Sequence, residues 1–249
     1  ARKEGSVNLY SSASTGPSNA IAEAFRKKYG IPVTVYRAGS ADVATRVQTE
    51  EAAGRPQADA LIIEEPALTL LQPFLAAYDS PERAPLAPEY KAPDSTLIRM
   101  YVSQIGWNTQ MVKAEAAPKD WPDLLDPRWK GKILSDDMRA GGGGLSLFSA
   151  IMLTPGYGED WHRAMAQQNI VFTRDVGQGE RRVARGEYAV WIPQHSGNVS
   201  GLAGLPIRII APSEGVPYTR LDLARLRGAP HPNAARLFIN HYLSDEMQQ

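Results

Sequence analysis

Up to about residue 100, short apolar runs alternate with stretches whose apolar residues recur at helical spacing. The run VNLY (7–10) is bounded by turn formers, and PSNAIAEAFRKKY (17–29) follows with its apolar positions on one helical face. This pair predicts a strand and then a helix. Gly30 closes that helix, VTVY (33–36) predicts a second strand, and 41–53 a second helix opened by Ser40 as a cap. ADALII (58–63) predicts a third strand, and 66–77 a third helix with proline in its first turn. Such alternation implies a parallel sheet with helices on both faces. Solutes collect beyond the carboxyl ends of the strands in such sheets, which singles out the loops YSSAS (10–14), RAGS (37–40) and IEE (63–65).

The pattern then changes. Residues 79–94 hold four prolines and predict an irregular excursion, and TLIRMYVSQIGWN (96–108) is a β-rich run long enough to leave one sheet and enter another. A second α/β series follows, with strands at 132–135, 170–173, 188–192 and 207–211 and helices at 145–153, 159–167 and 180–185. A β segment at 220–226 and a helix at 233–243 close the chain. Trp107 and Trp191 fall on strands as core residues.

Composition narrows the function classes. The chain has 249 residues, 43% of them hydrophobic, enough for one large or two medium cores. Lys plus Arg and Asp plus Glu balance at 27 each, so no overall field favours nucleic acid or a membrane surface. Cysteine is absent, which removes zinc-thiolate sites, disulfides and thiol nucleophiles and is compatible with an oxidising compartment. No apolar run approaches the roughly 20 residues of a membrane span, and ARKEGSVNLY lacks the apolar centre of a signal peptide.

DWPDLLDPRWKGKI (120–133), ARGEYAVWI (184–192), GLPIRIIAPSEG (204–215) and GAPHPNAARLFINHYLSDEMQ (228–248), with VNLYSSAS and ADALIIEE before them, resemble in this order the extracellular solute-binding proteins of bacterial ABC importers of the ferric-ion-binding type. The resemblance covers nearly the whole chain. It implies an α/β, two-lobed type 2 periplasmic binding fold, each lobe a mixed, mainly parallel sheet flanked by helices, the lobes joined by two crossover strands. Lobe one is expected at 1–100 plus 212–249, and lobe two at 101–211. The resemblance further implies a periplasmic protein after signal-peptide removal, a solute enclosed by hinge closure, and an ABC permease of the inner membrane as partner. A monomer is expected, with no cofactor.

The ligand depends on the loop residues. Ferric-binding relatives carry adjacent tyrosines after the strand equivalent to 188–192, since phenolate oxygens suit a hard trivalent cation. Here Pro193, Gln194, His195, Ser196 and Gly197 stand there instead, leaving Glu64 and His195 as the metal-capable side chains. A ferric site with non-tyrosine donors is the alternative reading. The principal one is a small anionic organic solute: a carboxylate, phosphate ester or phosphonate. Ser11, Ser12 and Ser14, then Gly39 and Ser40, then the glycine run with Gly142, Gly143 and Gly144, each mark a helix start, where unpaired N–H groups and a positive dipole end meet small side chains. Arg37, Arg139 and Arg174 fall at loop ends where a guanidinium could join them. Tyr10 is expected as a cleft wall, and Glu64, Gln194, His195 and Ser196 complete the candidate set.

The four glycines fit no nucleotide loop. No lysine follows Gly144 as a Walker-type loop needs, and Ser146 stands in the third place of GxGxxG. They suggest instead that a ligand or the facing lobe approaches the backbone. GxSxG and HExxH are absent, and His162, His231 and His241 have no evident partner, so a hydrolase is the distant alternative.

Overall fold

In the computed structural model, which describes residues 1–140, 142–195 and 202–248, strand β1 (Val7–Ser11) lies between β2 (Val33–Arg37) and β3 (Ala60–Glu64), parallel to both. Helices α1 (Thr15–Tyr29) and α2 (Ser40–Ala52) are the crossovers that parallel neighbours require. Helix α3 (Glu65–Leu71) leaves β3 directly. It stops short of the predicted 66–77. Pro73 forces a 3-10 turn at Gln72–Phe74, and the chain continues as the short strand β4 (Leu75–Ala76).

Strand β5 (Ser95–Asn108) carries the chain out of this first unit. In the second unit β6 (Ile133–Asp136) is parallel to β7 (Val171–Thr173) and to β8 (Val190–His195), while β5 pairs antiparallel with β8 and with β9 (Ile207–Ile210). Helices α4 (Gly143–Leu153), α5 (Gly158–Ala166) and α6 (Val176–Ala184) connect these strands. The start of α6 precedes the predicted residue 180 by a full turn, because Asp175 caps it by accepting the Gln178 N–H at 2.9 Å. Strand β10 (Tyr218–Leu226) returns to the first unit, antiparallel to β3 and β4, followed by α7 (Pro232–Leu243) and α8 (Asp245–Gln248).

The units are Ala1–Met100 with Arg220–Gln249, and Tyr101–Thr219. Both β5 and β10 run across the boundary. Residues 212–219, grouped by sequence with the first lobe, are bonded to the second unit: Ser213 donates to Asp120, Trp121 Nε1 to the Gly215 carbonyl, and the Ser103 N–H to the Pro217 carbonyl.

Each unit has its own core. In the first, Val43, Val47, Leu61, Ile63 and Leu71 pack together, and Phe25 of α1 meets Phe238 of α7 edge-on at 5.4 Å. In the second, Trp107, Trp121, Trp129, Trp161, Leu147 and Phe148 form the main cluster, and Trp191 packs with Leu134 and Val183. Each fully buried large apolar side chain contributes about 1.5–3 kcal/mol, so the helices that position the loops are anchored by these contacts.

Candidate functional site

Because β2, β1 and β3 are parallel, their carboxyl ends share one edge, and the three loops selected from the sequence meet there. Ser11 stands in register with Arg37 and with Ile62. Arg37 Nε donates across to the Ala13 carbonyl at 3.3 Å, and Ser40 Oγ donates to Glu64 Oε2 at 2.6 Å, so each loop is tied to a neighbour. Helices α1, α2 and α3 begin at this edge after Ser14, Gly39 and Glu64, and none has a side-chain cap. Their first-turn N–H groups therefore lack the acceptor that a capping side chain supplies.

The serines divide. Ser11 is buried, its Oγ bonded to Ser18 Oγ and accepting the Ala13 N–H. Ser40, expected as the cap of α2, lies inside its first turn with its hydroxyl committed to Glu64. Ser12 Oγ is shut from solvent and has no hydrogen-bond partner among the described residues. Tyr10, expected as a wall, faces the core instead: its hydroxyl donates to Glu50 at 2.6 Å, and the Arg46 guanidinium lies 4.8 Å from its ring.

In the second unit the carboxyl ends of β6, β7 and β8 again share an edge. Helix α4 starts there, but its start is already occupied. Asp136, buried at the end of β6, accepts the Gly144 N–H at 2.9 Å, and burial raises its carboxyl above the ordinary range against that bond. Packing inside the unit also accounts for two of the glycines. A Cβ on Gly144 would stand 2.5 Å from the Asp136 carbonyl oxygen, and one on Gly143 would stand 2.0 Å from His195 Nε2. Neither needs a ligand to explain it, and an anion at Gly144 would have to displace a carboxylate of the chain itself. Gly142 is the capping position of α4.

Gln194 and His195, placed by sequence in a loop, are the last residues of β8, paired with Gln104 and Ser103. Gln194 is fully buried and donates to Glu180 on α6 at 3.0 Å. The His195 imidazole lies against Gly143 and edge-on to Tyr101, and burial lowers its pKa to about 4, leaving it neutral at pH 7. Ser196 lies outside the described residues.

Two acidic neighbours were not found by sequence reasoning. Asp136 caps a helix eight residues further on, and Asp137 gathers both arginines of this edge, Arg139 through Nε and Nη2 at 2.8 and 3.0 Å and Arg174 through Nε at 3.2 Å. The only available signal was the pair DD at the end of a predicted strand. His231 does have a partner: its Nδ1 lies 2.9 Å from Asp59 Oδ2 and its Nε2 3.4 Å from Ser6 Oγ. Asp59 also accepts the backbone N–H groups of Asn8 and His231, so it ties the start of α7 to β1.

Residues 7–249 match the family model described as bacterial extracellular solute-binding protein. The chain belongs to that family. Among its relatives is a Salmonella typhimurium protein whose name assigns it 2-aminoethylphosphonate binding in the periplasm, 26% identical over 91% of this chain and 68% of its own length. AfuA of Actinobacillus pleuropneumoniae, solved with exogenous fructose-6-phosphate bound, matches this solute-binding protein with a TM-score of 0.87 and 26% identity, covering 97% of this chain and 80% of that one. Iron-bound HitA of Pseudomonas aeruginosa shares the fold at a TM-score of 0.82 and 24% identity, covering 98% and 82%. The chain is thus a periplasmic solute-binding component of an ABC importer, with the type 2 fold. Members of this family take small solutes to inner-membrane ABC permeases. No helix among the described residues is long and apolar enough to cross a membrane.

Proposed function

We propose that this solute-binding protein captures a small anionic organic solute, a phosphate ester, phosphonate or carboxylate, by hinge closure, and binds it without chemical change. The observation that carries the reading is the edge of β2, β1 and β3, where three uncapped helix starts, the unpartnered Ser12 hydroxyl and the Arg37 guanidinium are brought together. Main-chain N–H groups at a positive dipole end favour negative charge. The phosphonate in the Salmonella relative's name and the sugar phosphate bound by AfuA support the same class. Closure follows if the solute contacts both units and so selects the closed state. As a monomer in the periplasm, the loaded form then meets its permease.

Iron-bound HitA and the ferric binding protein of Campylobacter jejuni share the fold and support the ferric alternative. Against it, His195 is a buried neutral imidazole, a softer donor than a trivalent ion prefers. A thermal-shift series separates the two. A solute bound only by the folded chain at a hundred times its Kd adds about 2.7 kcal/mol, which for a chain of this size raises the midpoint by roughly 5–10 °C. The expected result is a rise with phosphate esters, phosphonates or carboxylates. A rise with ferric salts alone would reverse the reading, and recovery of a chemically altered solute after incubation would make the protein an enzyme.

A further inference from the structure

In the first unit, three guanidiniums gather around Tyr78 with almost no carboxylate to balance them. Arg83, whose side chain is only 6% exposed, donates through Nη1 to the Tyr78 carbonyl at 3.1 Å and through Nη2 to the Ala92 carbonyl at 2.6 Å. The carboxylate it meets is that of Asp79, 3.7 Å away and 93% exposed. Arg236 of α7 holds its guanidinium 5.7 Å from the centre of the Tyr78 ring. One turn further along α7, Asn240 accepts from the Tyr78 hydroxyl at 2.8 Å and from Ser80 Oγ at 2.7 Å, so this helix and the 78–83 segment are fastened together. The third guanidinium belongs to Arg225 of β10. Strand alternation turns it to the face opposite the core residues Ala224 and Leu226.

Arg225 is half-buried. Its Nη1 reaches only the Leu226 carbonyl, at 3.4 Å, and its Nε is shut from solvent with no hydrogen-bond partner among the described residues. Burial, and after it the charge of Arg236, lower the pKa of Arg225, so the two cations stand close enough to repel. Among the described residues neither is paired with a carboxylate. Buried charges are ordinarily paired. An apolar stem lying on the surface accounts for Arg236, which is exposed, but not for Arg225, whose head is desolvated. The place is also distinct from the solute edge. Arg225 stands in register with Ala60, the first residue of β3, and the solute edge lies at the last, Glu64, roughly 13 Å along the strand.

We infer that Arg225 and Arg236, beside Tyr78, form a binding site for a small divalent oxyanion of the sulfate type, held as a structural counter-ion and not carried as cargo. A tetrahedral dianion offers oxygens in several directions, so a single ion can accept from two guanidiniums that belong to different elements. Its charge offsets their repulsion and the cost of the desolvated Arg225 head. Bound there, the ion ties β10 to α7 and, through the Tyr78 contacts, to the start of the proline-rich segment.

The test is calorimetric titration of the whole chain with sodium sulfate at constant ionic strength in chloride, using wild type, Arg225→Met, Arg236→Gln and, as a control at the solute edge, Arg37→Gln. Melting curves of each protein in sulfate and in chloride accompany it. Wild type and Arg37→Gln should share a sulfate-binding step that Arg225→Met and Arg236→Gln each weaken by about tenfold or more. In chloride, Arg225→Met should melt no lower than wild type, because it removes an uncompensated charge; in sulfate the order should reverse. If Arg225→Met does not fold, Arg236→Gln, at an exposed side chain, carries the test. Absence of a sulfate-binding step in wild type, or an equal one in the Arg225 and Arg236 variants, would overturn the inference. Loss of sulfate binding in Arg37→Gln alone would also overturn it, since the ion would then sit at the solute edge. So would a rise of the midpoint in sulfate that is the same in all four proteins and comes without binding heat, which is the general effect of an excluded salt.

Discussion

At His195 the sequence offered a metal ligand or a loop donor, and the fold supplies a buried ring at the end of β8. Its pKa of about 4 in the folded chain lies below the 6.5 of an exposed imidazole because burial disfavours the charged form. The unfolded chain therefore binds more protons between these values, and stability rises with pH across that window. The contribution is complete above pH 6.5, is lost as the pH falls toward 4, and amounts to at most about 3 kcal/mol. Urea melts of wild type and His195→Asn at pH 7.5 and pH 5 check this. Wild type should lose more stability than the variant over that interval. Equal losses would mean that the ring is solvated, and would put its role in packing against Gly143 in doubt. Histidine was conspicuous in the sequence as a chemical group; its burial was not, because the residues that enclose it come from α4 and β5.

Among the elements, α4 shows most clearly which parts of the chain could be read in advance. Its apolar periodicity predicts a helix over 145–153, and the observed Gly143–Leu153 adds one half-turn of glycine. The reason for the glycines was misplaced, because close approach to β6 cannot be read from a local pattern. Gly144→Ala should therefore destabilise the fold by about 1–3 kcal/mol, the range for overpacking a filled site, since its Cβ meets the Asp136 backbone. A chemical-denaturation midpoint equal to that of wild type would contradict this. The strands and helices of the first unit were legible for the opposite reason: VNLY, VTVY and ADALII are short apolar runs whose own composition specifies them. Gln194 was placed in the loop after the predicted strand 188–192, while pairing of β8 with β5 extends the strand through it. A local apolar run does not reveal a pairing partner some 90 residues earlier in the chain.

For the whole molecule, the order of motifs along the chain identified the family and the fold, and parallel strand order sufficed to bring Ser12, Arg37, Gly39 and Glu64 to one edge. What the sequence withheld were the internal claims on those groups: Tyr10 bonded to Glu50, Ser40 to Glu64, and Gly144 to Asp136. Each is a contact between segments that only the fold unites. They remove candidates from the solute's donor set and leave, at that edge, the main-chain N–H groups of α1 and α2, the Ser12 hydroxyl and the Arg37 guanidinium. The most direct test is a crystal structure of the protein grown with 2-aminoethylphosphonate or with the solute it retains on purification. The expected density is an anionic head within hydrogen-bond distance of the first-turn N–H groups of α1 or α2, with a guanidinium alongside. A metal ion bound through Glu64 oxygen, or a solute held away from those helix starts, would contradict it.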